Sequence, residues 1–387
     1  MDYEFIDREL DPDEAFVHIG DRFDDTLRYL TRFGGPDRPY AFVYAAGTAV
    51  LCPPSLFGDQ ARREFPGDRV LPPDVQTAET AAGRAIEAVE SLADVECLRV
   101  PAHLRHDSAV RLEQAGYSLV STAAVEEARA VKTADELDAL RSVQDIAQRG
   151  LARAETILAT VETDGIEDGA PLQWDGAILT TERLRRAINA VMAEYGIVDA
   201  GNTVIGAGES CADLHFTGED TIRAGETVLI DISPRGPDGY YGDVTRTFVP
   251  GGNEGWPRRA YVAVEYAQDA ALEVLADGAG TTASRVHTEA AAELSAHGFE
   301  VGDVETGFYH GVGHGVGMSL HEAPSLRAET ALTAGNVVTV EPGVYDPSIG
   351  GVRIEDLVAV TVDGYENLTD YPRSLVPERR DHSSSFV

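Results

Sequence analysis

Four carboxylates and one imidazole in the C-terminal part of the chain could do chemistry together: Asp231, Asp243, His314, Glu341 and Glu355. Acidic residues number 66 against 31 basic ones, so residue type alone says little. Position says more. The acid pairs fall in apolar, β-branched segments, Val228-Leu-Ile-Asp231-Ile and Val337-Val-Thr-Val-Glu341-Pro-Gly, where an ionised carboxylate is costly unless its charge is offset. A pair of bound divalent ions would offset it. Oxygen donors with one imidazole suit Mn, Co, Fe or Zn in an open site, and the three widely spaced cysteines exclude a closed thiolate zinc site. Five ligands for two ions require bridging, with one carboxylate of each pair spanning both, and a hydroxide held between ions about 3.5 Å apart would be the nucleophile.

Two hairpins are expected to position these groups. Thr227 to Phe248 reads as strand, Gly/Pro-rich turn, strand, with Asp231 and Asp243 on its arms. Alternation puts Leu229 and Asp231 on the face opposite Ile230 and Ile232, and Asp243 on the face of Tyr241, Thr245 and Thr247, so Thr245 is expected to hydrogen-bond a ligand. Val337 to Thr361 repeats the plan, with Glu341 and Glu355 on the arms; Arg353 shares the face of Glu355 and should meet a substrate or pair with an acid. The near-duplication suggests a pseudo-symmetric, barrel-like floor on which the acids converge. His314 lies in Phe308-Tyr-His-Gly-Val-Gly-His-Gly-Val-Gly, where glycines at 311, 313, 315 and 317 argue against helix. In an extended chain His310, Val312, His314 and Val316 share one face, and the bare glycine face lets a ligand approach closely.

Residues 1–125 alternate strands (15–20 and 40–44) with helical patterns (80–92), which argues an N-terminal α/β domain. A second domain, 126–387, opens with the capping box Thr133-Ala-Asp-Glu136 and a helix to about Leu158, followed by helices near 177–195, 257–276 and 283–297. The sequence ends in a short polar tail, Asp381-His-Ser-Ser-Ser. With 387 residues and 43% hydrophobic content the chain can bury two cores. The net charge of −35 repels nucleic acid and anionic membranes. Lys132 is the single lysine, and that scarcity together with the charge points to high internal salt and a halophilic archaeal source. No run approaches 18 apolar residues, and Met1 to Leu10 has neither the basic nor the apolar region of a secretory leader, so a soluble cytoplasmic protein with reduced thiols is expected.

The order and spacing of these residues resemble the pita-bread metallopeptidases: Xaa-Pro dipeptidases (prolidases), aminopeptidase P and methionine aminopeptidase. The similar stretches are Asp231-Ile-Ser, Gly242-Asp-Val-Thr-Arg-Thr-Phe248, Gly313-His-Gly-Val-Gly with His321-Glu-Ala-Pro324, Val340-Glu-Pro-Gly-Val-Tyr345 and Val352-Arg-Ile-Glu-Asp356. The resemblance runs from about Thr133 to Pro372. It implies that Asp231 binds one metal, that His314 and Glu341 bind the other, and that Asp243 and Glu355 bridge, with Mn or Co first among the candidate metals. It also implies proton transfer by Glu341, oxyanion and leaving-group roles for His215 and His321, and substrate contacts by His310. The N-terminal part looks like the creatinase-type domain, with Leu27-Arg-Tyr-Leu-Thr-Arg-Phe33 similar to a segment common there. This favours a prolidase or aminopeptidase P that hydrolyses Xaa-Pro bonds in dipeptides or short peptides as a homodimer. The alternatives are another C–N hydrolase on the fold, such as ectoine hydrolase or a creatinase, and a non-catalytic interaction protein. Three departures stand out: a first hairpin one residue longer, Ser233 where glycine is usual, and Ser325 where some archaeal prolidases carry an arginine assigned to a dipeptide's carboxylate, with Arg327 two positions on.

Overall fold

The structure, a computed structural model, describes residues 3–72, 78–163, 166–252 and 254–380; the polar tail lies outside them. It divides into two compact units, Met1–Arg129 and Ala130–Val387. The expected boundary, between residues 125 and 126, falls within a seven-residue helix, Ala124–Ala130, as befits Ala-Val-Glu-Glu-Ala-Arg-Ala, a run dominated by good helix formers.

The first unit is built on a six-stranded mixed sheet in the order Arg69–Val70, Thr48–Cys52, Tyr40–Ala45, Glu14–Gly20, Cys97–Pro101, Ser118–Thr122. Ala15, Val17 and Ile19 pack with Ala82, Ala85 and Val89 of the helix Ala81–Leu92. Thr80 opens that helix by accepting a hydrogen bond from Gly83 N–H at 3.1 Å, an arrangement that contributes about 1 kcal/mol.

The second unit holds two helix pairs, each covering a sheet. Ala134–Thr160 and Thr181–Glu194 pack over the three strands Val204–Ala207, Val228–Ile232 and Val244–Phe248. The expected capping box is present: Thr133 accepts from Glu136 N–H, and the Glu136 side chain accepts from Thr133 N–H. Gly150 lets the two helices close up, since a Cβ there would sit 3.0 Å from Ile188. Gly255–Leu275 and Ala283–Ala296 pack over a five-stranded sheet that includes Val337–Val340 and Asp356–Thr361. Among the described residues no helix is long and apolar enough to cross a membrane.

The first hairpin forms as expected, antiparallel, with Val228 opposite Phe248 and Asp231 opposite Thr245. The second keeps one register but not one sheet. Val337–Val340 pairs with Asp356–Thr361, and Gly343–Asp346 pairs with Gly350–Arg353. The ladder breaks between Val340↔Asp356 and Gly343↔Arg353, at the point where Glu341 and Glu355 face one another. Pro342 cannot donate a ladder hydrogen bond, and Glu355 N–H turns instead to the Thr245 carbonyl of the first hairpin, at 3.0 Å. The break joins the two hairpins.

Candidate metal centre

Asp231 lies on the strand Val228–Ile232, on the side away from the Ile230 and Ile232 core. Asp243 directly precedes Val244–Phe248 and is held at its main chain: its N–H donates to Gln144 Oε1 and its carbonyl accepts from Gln144 Nε2, both at 2.8 Å. Ser233, the residue in place of the usual glycine, donates to Asp243 Oδ1 at 3.0 Å. Thr245 donates to Glu355 Oε2 at 2.6 Å. Thr339 serves the remaining two groups, accepting from His314 N–H at 3.1 Å and donating to Glu341 Oε1 at 3.2 Å.

The structure brings all four carboxylates and His314 to one pocket of about 480 Å³, whose walls also carry His215, His310, His321, Arg327 and Arg353. Ligand atoms of Asp243, His314 and Glu355 lie within 4.8 Å of one another. Burial, then the charges of Asp231 and Glu341, push the Asp243 carboxyl well above its ordinary value. Burial and the Asp243 charge do the same to Glu355, and burial raises Glu341 to about 7 even though Arg353 opposes the rise. This is the signature of carboxylates sharing too little positive charge.

A metal fits that deficit. The Nδ1–H of His314 donates to the Gly315 carbonyl at 3.1 Å, which leaves the Nε2 lone pair facing Glu341 Oε1 at 3.4 Å and Asp243 Oδ2 at 3.9 Å. Burial lowers the His314 pKa, which favours the neutral imidazole. A lone pair aimed at two carboxylates is repulsive until a proton or a metal ion lies between them, and a backbone carbonyl on the other nitrogen is the usual partner of a metal-binding histidine. Four carboxylates less the one Arg353 charge leave a net negative charge that divalent cations would offset, and the N/O donor set suits them.

Arg353, read as a group that meets substrate or pairs with an acid, pairs with an acid. It is buried, and its Nη2 donates to Asp231 Oδ2 at 2.6 Å. Its Nη1 donates to the Tyr345 hydroxyl at 2.9 Å, and Tyr345 in turn donates to His310 Nε2 at 3.0 Å. His310 Nδ1–H donates to the Gly311 carbonyl at 2.7 Å, so both of its nitrogens are engaged, and burial lowers its pKa to about 3. His321 is exposed, with its ring centroid 4.1 Å from that of His314. His215 is exposed on the same pocket. The single lysine acts beside this wall: Lys132, buried, donates to Glu322 at 2.7 Å, next to His321.

The glycine-rich segment differs from the expectation. Only His314–Gly315 is strand, with an irregular register, so the two-residue alternation fails. His310 and His314 reach the pocket while Val312 enters the apolar core. The bare backbone also serves packing: a Cβ on Gly313 would lie 2.0 Å from the Thr339 carbonyl, and one on Gly315 would lie 2.2 Å from that of Ala323, while Gly311 and Gly313 line the pocket. Gln144 and Tyr345 escaped sequence reasoning as site residues, since Gln144 lies 99 residues from Asp243 on an ordinary amphipathic helix.

Residues 138–362 match the model of metallopeptidase family M24. The chain is 34% identical over 237 residues to a putative dipeptidase, YkvY, of Bacillus subtilis, covering 54% of this chain and 60% of that protein. It is 32% identical over 261 residues to an Xaa-Pro dipeptidase of Pyrococcus furiosus, covering 65% and 66%. These alignments therefore span between three-fifths and two-thirds of the relatives' length. An Xaa-Pro dipeptidase structure from Bacillus anthracis superposes with a TM-score of 0.80 at 25% identity, covering 94% of each chain. The fold is that of the prolidases, an N-terminal α/β sheet domain followed by a pita-bread domain.

Proposed function

We propose that this chain, which belongs to metallopeptidase family M24, is a dipeptidase of prolidase type that cleaves the bond before proline in dipeptides or short peptides with two divalent ions, Mn or Co by preference. The observation that carries this reading is the convergence of four carboxylates and the Nε2 of His314 in one pocket. Asp231, Asp243, His314, Glu341 and Glu355 would hold the ions. When bound, the ions supply Lewis-acid polarisation of the scissile carbonyl and activation of water.

The remaining roles belong to the side chains. Glu341, on the pocket wall, carries the proton from the attacking water toward the leaving nitrogen. His321 and His215, exposed on the pocket, donate to the developing oxyanion and to the leaving group. Arg353 orients Asp231 and, through Tyr345, fixes the tautomer of His310. Arg327 forms no ion pair among the described residues and lines the pocket, which supports recognition of a substrate carboxylate and so of dipeptides.

The test is a hydrolysis panel of Xaa-Pro dipeptides, Xaa-Pro-Yaa tripeptides and ectoine with Mn, Co or Zn supplied. Arg327→Met should raise KM for dipeptides about tenfold, equivalent to ~1.4 kcal/mol, and leave tripeptides less affected. Cleavage of ectoine alone would refute the peptidase reading, and an unchanged dipeptide KM would refute the role of Arg327.

A further inference from the structure

The N-terminal unit has a cavity of its own, about 420 Å³ in volume and within the size range of small-ligand sites. Its walls carry four arginines, Arg38, Arg84, Arg105 and Arg111, against two acids, Glu79 and Asp107. In a chain with 66 acidic and 31 basic residues, a cavity with more cations than anions runs against the composition. Most of that positive charge is not used internally. Among the described residues the side chains of Arg38 and Arg111 enter no ion pair or hydrogen bond, and Arg105 stands 3.4 Å from Asp107. Arg84 is buried and donates to the carbonyls of Glu79 at 3.0 Å and Pro39 at 3.2 Å, so its position is fixed by main chain.

A second observation points to a ligand. Ser108 lines the same cavity and is only 4% exposed, yet its hydroxyl has no hydrogen-bond partner among the described residues. The hydroxyl is therefore available to whatever enters the cavity. It sits in the first turn of the helix His106–Gln114, whose N-terminus has no side-chain cap. Guanidinium groups, a hydroxyl donor and open helix N–H groups together match one kind of ligand, an oxyanion. A polyanion is disfavoured by the −35 charge, which repels it over its length, whereas a small anion meets mainly the local field.

We propose that this cavity binds a small molecule bearing a phosphate or carboxylate group, held by Arg38, Arg105, Arg111 and Ser108. The probes are inorganic phosphate and malonate, titrated calorimetrically into the metal-loaded protein in 1 M KCl at constant ionic strength. The expected result is a saturable site for at least one probe that weakens at least tenfold in Arg38→Ala/Arg111→Ala and also weakens in Ser108→Ala. Binding that survives the double substitution belongs elsewhere, the metal centre included. A response to phosphate alone assigns the ligand class to phosphates, and one to malonate alone assigns it to carboxylates. The two arginines are exposed, so an unchanged melting midpoint without probe verifies the fold of the variant. Absence of saturable binding by both probes, or equal affinities in the wild type and the double variant, would overturn the proposal.

Discussion

Gln144→Leu should damage the metal centre without touching a ligand side chain. Gln144 accepts from Asp243 N–H and donates to the Asp243 carbonyl, each at 2.8 Å, and it also donates to Thr369 Oγ1 at 2.8 Å. Leucine has similar bulk and no polar atoms, so a buried donor and a buried acceptor lose their partners. Each orphaned group costs about 1 to 3 kcal/mol, which gives a loss of roughly 4 kcal/mol. For a unit of this size that corresponds to a fall of about 10 °C in melting midpoint. Asp243 would also lose the support that fixes its carboxylate, and loss of such support typically weakens metal binding about 10- to 100-fold. Arg141→Ala is the control on the same helix, since its pair with the half-exposed Glu366 is screened and worth at most about 1 kcal/mol. Thermal unfolding at fixed KCl, with Mn or Co titration of the metal-free protein, reads both effects. If Gln144→Leu melts and binds metal as Arg141→Ala does, the main chain of Asp243 is not what holds the centre together.

Asp243→Asn removes a proposed bridging charge and should lower turnover by at least roughly two orders of magnitude; near-normal turnover would sink the dinuclear assignment. Treatment with a chelator should abolish hydrolysis, and addition of Mn or Co should restore it. His314→Ala should release metal, whereas His321→Ala should keep its metal and lose kcat, because a group acting on transition-state charge is felt there; equal metal loss in both variants would overturn that division. With a net charge of −35, the melting midpoint of the metal-loaded protein should rise from 0.1 to 3 M KCl, as the Debye length shrinks from about 10 Å to about 3 Å at 1 M and below. A flat or falling midpoint would count against adaptation to high salt.

The hairpins were legible because their signals are local. A period-2 pattern names the face of each residue, and a Gly/Pro turn between two such runs names their pairing. That is why Ile230 and Ile232 fall in the core while Asp231 turns away, and why Thr245 reaches the Glu355 carboxylate. The second hairpin was legible in register but not in its interruption. Its register runs unchanged from Val337↔Ala359 to Asp346↔Gly350, yet Glu355 leaves its own ladder to bond Thr245, a residue 110 positions away. No pattern within the hairpin could announce that partner.

Alternation fixes which way a side chain points and leaves open what it meets. For Arg353 the face shared with Glu355 allowed a substrate or an acid, and the geometry gives Asp231 at 2.6 Å with Tyr345 at 2.9 Å. The glycines show the same limit from the other side. Their spacing announces that something comes close to bare backbone, but a missing Cβ accommodates a neighbouring carbonyl as well as it does a ligand. At Gly313 and Gly315 the neighbours are Thr339 and Ala323. The consequence bears on His314: those contacts pin the segment against Thr339, whose hydroxyl accepts the His314 N–H and donates to Glu341. The glycines thus act on the site indirectly, by letting one threonine set the distance between an imidazole and a carboxylate that face one another at 3.4 Å.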